Sequence, residues 1–141
     1  MSAEGNHPVA VFPDRRLGLV QPRGDVSAES VLQAGRVLLD HPEWEPGFTE
    51  VWDLRFAGRV VVEPSAAARF RAFEADTRDR LVGSRTLIVT DHRPFLTYAA
   101  RFYAQLVQPL GREVIACRTE EEAVRYIDGG SIPLLRADRA A

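Results

Sequence analysis

The sequence predicts an α/β fold on a mostly parallel central sheet, and three observations carry that reading. Short apolar runs of strand length recur at 49–54, 86–90 and 113–117. Stretches of helical period separate them. The first two β-prone runs, 9–13 and 17–21, are joined by the short turn-rich insert Pro13-Asp14-Arg15-Arg16 and read as an antiparallel hairpin. Strands that alternate with helices need crossover connections, which run right-handed and set the strands parallel. The expectation is about five strands, the first antiparallel through the hairpin, and about four helices.

Each element has its own warrant. From Val26 the period changes, and Ser27 is placed to cap a helix whose apolar positions Val31, Ala34 and Leu38, with Leu32, Gly35 and Leu39 beside them, follow steps of three and four before Pro42 stops it. The loop at 40–47 carries two prolines and leads into the strand at 49–54, apolar at Val51, Trp52 and Leu54. After Glu63-Pro64-Ser65 a stripe of Ala66, Phe70, Phe73, Thr77 and Leu81 marks a helix with one core face. Either Glu63 or Ser65 is its cap. Gly83-Ser84 ends it, and Thr-Leu-Ile-Val-Thr at 86–90 has the continuous β-branched character of a buried parallel strand. Pro94 suits the first turn of a helix through Phe95, Tyr98, Ala99, Phe102 and Leu106. Phe95, Tyr98 and Phe102 share a face expected to be core, leaving Tyr103, Leu96 and Leu110 as surplus apolar surface. Glu-Val-Ile-Ala-Cys at 113–117 repeats the strand pattern, and Thr119 with Glu122 forms a capping box before a helix holding Ala123, Val124 and Ile127. The segments 51–54, 87–90 and 114–117 are expected as parallel near neighbours buried on both faces.

The chain has 141 residues, enough for one domain with a packed core. Residues 1–8 read as a loose start, 9–135 as a single domain and 136–141 as a polar tail. Eighteen basic against twenty acidic residues leave a net charge of -2, which offers no long-range attraction for nucleic acid or an anionic membrane. The basic residues are all arginine, so Schiff-base and P-loop lysine chemistry are excluded. Cys117 is the single cysteine and has no intramolecular partner, which suits a reducing compartment. Neither a secretory leader nor an apolar run of about 18 residues is visible, so a cytoplasmic protein without membrane insertion is expected.

Three strings, His41-Pro-Glu-Trp-Glu-Pro-Gly-Phe-Thr-Glu-Val-Trp-Asp-Leu-Arg55, the segment 87–106 from Leu87 to Leu106, and 113–127 from Glu113 to Ile127, together with the element order, resemble the STAS superfamily and more closely its SpoIIAA-like (STAS/SEC14-like) branch of small bacterial proteins. The resemblance covers roughly residues 9–127 and implies fold rather than activity. In the anti-sigma-factor antagonists of that superfamily a kinase phosphorylates a serine at the start of the helix after a strand ending Asp-Leu-Ser. Here Asp53-Leu54-Arg55 and Glu63-Pro64-Ser65 occupy those places without a Ser-Ser-Gly string, so Ser65 is a positional counterpart only. Arg101 matches an arginine of the SpoIIAA-like pattern.

Ligands of parallel sheets gather beyond the carboxyl ends of the strands. That rim supplies Asp53, Arg55, Asp91, His92, Arg93 and Arg118, with Ser65, Tyr98 and Arg101 on nearby helices. These are the candidate interaction residues, for an anion or for an acidic side chain of a partner. Ser65, His92 and Asp53 are the only trio of hydrolase type, and no Gly-x-Ser-x-Gly elbow surrounds the serine. His7, His41 and His92 stand in separate loops, against a metal site. Catalytic residues, metals and cofactors are therefore not expected. The sequence reads as a non-enzymatic regulatory or interaction module that binds a protein partner or a second copy. The alternative, implied by the SEC14-like resemblance, is a binder of a small apolar, lipid-like ligand, for which surplus aromatic surface with Phe48, Trp44 or Phe56 would form a pocket.

Overall fold

The structure is a computed structural model in which residues 7–136 are described. Five strands form a mixed sheet in the order β1-β2-β4-β6-β7: β1 (Val9–Phe12), β2 (Leu17–Val20), β4 (Thr49–Asp53), β6 (Arg85–Val89) and β7 (Glu113–Cys117). β1 and β2 form the antiparallel hairpin, and β2, β4, β6 and β7 run parallel. Among the described residues, five α-helices complete the α/β architecture: α1 (Ala28–Leu39), α2 (Ala66–Asp76), α3 (Arg78–Leu81), α4 (Pro94–Val107) and α5 (Glu120–Val124). The predicted long helix after Ser65 is thus two, broken at Thr77, whose hydroxyl donates to the Phe73 carbonyl at 2.8 Å.

A second, two-stranded parallel ribbon was not legible in the sequence: β3 (Gly24–Val26) pairs with β5 (Ala57–Val60). Its strands are too short to show a period. A Cβ at Gly58 would stand 3.1 Å from the Gly24 carbonyl, so close backbone approach needs glycine there. At Gly18, on β2, a Cβ would meet Leu38 and Trp44 at 2.7 Å, which is how closely α1 lies on the sheet.

The period-2 alternation of the strands sends one set of side chains to each face. Val11, Val20, Ala34, Leu38, Trp44, Phe48 and Leu81 pack on one face beneath α1. Leu17, Leu19, Val51, Leu87, Val89, Cys117 and Ala123 pack on the other, with Ile132 from the chain beyond α5. That C-terminal run is held by Arg15, whose guanidinium donates to the carbonyls of Asp128, Gly130 and Ser131.

Three expectations are corrected. β7 is an edge strand with Glu113 exposed and Val114 to Ala116 only half-buried, so it is not covered on both faces. His7 and Pro8 are buried rather than loose, with the His7 ring on the Ser30 hydroxyl at 3.1 Å; residues 1–6 and most of the expected tail lie outside the described residues. On α4 the buried positions are Leu96, Ala100 and Val107, while Phe95, Tyr98 and Phe102 are exposed. Leu96, Ala100 and Val107 on one side and Phe95, Tyr98 and Phe102 on another are all apolar or aromatic, so the 3.6-residue period alone did not identify the inward side.

Capping separates two serines that look alike in sequence. Ser27 accepts from the Ser30 amide while the Ser30 hydroxyl accepts from the Ser27 amide, a closed capping box. Ser65 begins α2 in a helical conformation, exposed and without a side-chain cap bond. Ser27→Ala should therefore cost about 0.5–2 kcal/mol in chemical denaturation, and Ser65→Ala less than about 0.5 kcal/mol. Equal losses at the two positions would contradict this assignment.

Candidate functional site

The strand-end rim is assembled around Asp53 at the end of β4. Its fully buried carboxylate accepts from the Arg55 amide at 3.2 Å, from Arg55 Nε and Nη2 at 2.8 Å each, and from Gln21 Nε2 at 2.9 Å. Arg55 also reaches Glu120 at 3.1 Å. The hydrogen bond to Asp53 is the main cause that raises the Arg55 pKa above its ordinary value. Arg93 donates to the carbonyls of Ala57 and Gly58 at 2.7 and 3.0 Å. Arg118 pairs with Glu122 at 3.6 Å. Arg55 and Arg93, expected to meet an anion, are thus committed to the fold's own acceptors, while Arg118 is exposed with one surface ion pair.

The remaining candidates are dispersed. Asp91 and His92 form an exposed turn, both with left-handed φ of 57° and 58°. No hydrogen bond among the described residues joins Ser65, His92 and Asp53, so the hydrolase trio is not assembled. Arg101 is exposed on α4. No group of three or more metal-ligating side chains occurs among the described residues. Cys117 is buried, and burial pushes its thiol up to about 11, which keeps it protonated and unreactive at neutral pH.

Tyr98 alone of the rim candidates lines a cavity of about 310 Å³ on the α1 face of the sheet. Its floor is Trp52 and Ile88, on β4 and β6, and its walls are Val31 and Leu32 of α1, Phe70 and Phe73 of α2, and Phe95, Tyr98, Ala99 and Phe102 of α4. Val61, Val62, Phe95, Tyr98 and Phe102 line it and are also solvent-exposed, Tyr98 to 68%, so they form its mouth. The cavity exists because α2 packs mainly on α1 and α4. Trp44 and Phe48 are core residues elsewhere, and Phe56 lies under the guanidinium groups of Arg23 and Arg55, so none of these three lines the pocket as expected.

The inner end of the cavity is polar. Glu50 and Thr86, near the starts of β4 and β6, Glu74 on α2 and Tyr103 on α4 contribute to its wall. Glu50 and Glu74 are only 4% and 5% exposed. The Thr86 hydroxyl donates to Glu50 Oε1 at 2.6 Å, and the Tyr103 hydroxyl donates to Glu74 Oε2. Arg112, just before β7, lies behind them: Nη2 reaches Glu50 at 3.3 Å and donates to the Thr86 hydroxyl, and Nε is 3.1 Å from Glu74. Burial raises the Glu74 carboxyl above the ordinary glutamate value, against the opposing pull of Arg112. Burial likewise raises the Tyr103 hydroxyl well above its own ordinary value. Sequence reasoning missed this cluster. Glu50, Glu74 and Arg112 look like ordinary surface charges, and the one available signal was a glutamate beside the apolar run of a central strand.

The fold and cavity define an α/β domain with an open apolar pocket and a buried ionic end. No family model matches the chain, and neither a curated protein nor a solved structure matches it. Among the described residues, no helix is long and apolar enough to cross a membrane.

Proposed function

We propose that the protein is a STAS/SEC14-like binding protein for a small apolar or amphiphilic molecule. The strand order β1-β2-β4-β6-β7, with the hairpin first and helices in the crossovers, supports the STAS-like reading of the fold. The observation that carries the function is the cavity: aromatic and branched side chains line it, and several of them remain exposed at its mouth. Its volume is at the small end of the about 300–1,000 Å³ typical of ligand pockets. Leaving such side chains in water forgoes about 25 cal/mol per Å² of apolar surface, which an apolar ligand would recover. The regulatory module suggested by the resemblance takes second place, because Arg55 and Arg93 of its rim are already engaged within the chain.

The test is uptake of N-phenyl-1-naphthylamine, followed by its fluorescence, with native mass spectrometry of the freshly purified protein. Saturable uptake is expected. Ala99→Trp, which adds an indole to the cavity wall, should weaken uptake at least about tenfold, or about 1.4 kcal/mol, with an unchanged melting temperature. Absence of both probe uptake and a copurified ligand would defeat the proposal.

A further inference from the structure

We infer that the ligand is a cationic amphiphile, its ammonium head seated at the Glu50–Glu74 end of the cavity and its alkyl chain directed to the aromatic mouth. This rests on the reading of the cavity as a binding site and names the chemistry that site selects. The cavity wall includes both carboxylate residues, Glu50 and Glu74, but not Arg112, the guanidinium that pairs with them from behind. A head group arriving from the mouth therefore meets the two glutamates before the guanidinium.

Two carboxylates share one guanidinium, so with both ionised the cluster carries one uncompensated negative charge in a buried place. Buried charge is tolerated only when paired. Glu74 Oε1 is taken up by the Arg112 Nε ion pair at 3.1 Å and Oε2 by the Tyr103 hydroxyl, so what the cluster lacks is charge balance. An ammonium supplies the compensating positive charge, with N–H donors for a carboxylate. A fatty acid or phosphate head would add negative charge beside Glu50 and Glu74. The aromatic mouth also suits a cation in passage, since ring faces attract positive charge.

The extent of the cavity along α4 is compatible with a single-chain amphiphile. Phe95 at the mouth and Tyr103 at the polar end are eight residues apart on α4, about 12 Å at 1.5 Å per residue.

Decylamine, decanol and decanoate, which share one chain, should be compared for displacement of N-phenyl-1-naphthylamine from the full chain, each below its micelle-forming concentration. The amine is expected to bind at least tenfold more tightly than the acid and more tightly than the alcohol. Glu74→Gln, which keeps the shape and an acceptor for Tyr103, should reduce the amine's advantage over the alcohol several-fold. An acid equal to or tighter than the amine would overturn the inference, as would an alcohol equal to the amine. These outcomes leave the cavity reading intact. If neither the probe nor any of the three compounds binds, it is the cavity reading that fails. The comparison on the unaltered protein decides the matter even if Glu74→Gln does not fold.

Discussion

Replacing Arg112 by leucine should cost about 3–5 kcal/mol of stability at neutral pH, because it leaves Glu50 and Glu74 buried without their guanidinium. The Arg112 side chain is only 8% exposed, so water does not take its place. The loss should shrink in mildly acidic buffer, where a protonated Glu74 no longer needs a partner. The pH dependence of the unaltered protein has a defined sign at this residue. Burial raises the folded-state pKa of Glu74 above its unfolded value. The folded protein then binds the proton more strongly, so this residue's contribution is fully present below the ordinary glutamate range and is lost as pH rises through the elevated value. Chemical denaturation of both proteins at several pH values reads both effects. A pH-independent difference below 1 kcal/mol would show that the cluster is not the buried ion network described.

Asp53→Ala should be comparably severe, also about 3–5 kcal/mol, for a different reason. The carboxylate gathers four hydrogen bonds at 2.8–3.2 Å from Gln21 and Arg55, and its removal leaves the half-buried guanidinium with Glu120 as its only ion-pair partner and takes one acceptor from the buried Gln21 amide. The damage should spread to the C-terminal run. Gln21 Nε2 also donates to the Pro133 carbonyl and its Oε1 accepts from the Leu135 amide, while Glu120, paired with Arg55, accepts from the Ile132 amide. Hydrogen exchange should therefore accelerate at Ile132 and Leu135 ahead of the β4 and β6 amides. Unchanged protection at both positions would show that Asp53 does not organise this segment.

The sequence by itself determined the order and type of the main elements and the direction of the strands. Apolar runs at 86–90 and 113–117, the capping residues Ser27 and Thr119, and the turn at 13–16 are local signals, and local hydrogen bonding and side-chain period suffice to express them. Asp53 and Tyr98 were named as candidates, but the reason for each changed. Asp53 is an internal anchor rather than a docking group, and Tyr98 stands at a cavity mouth rather than in the core.

Only the tertiary structure decided which face of α4 turned inward, that β3 and β5 pair, and that Glu50, Glu74 and Arg112 meet. α4 carries apolar or aromatic side chains on more than one side, interrupted by Thr97, Arg101 and Gln105, so its orientation depends on the competing surfaces of α2 and β7, which lie elsewhere in the chain. The three charged residues are 24 and 38 positions apart in succession and belong to β4, α2 and the approach to β7. Each taken alone is a surface charge by residue type. Burial is a property of the assembled layers, and it is burial that turns these three charges into a coupled site.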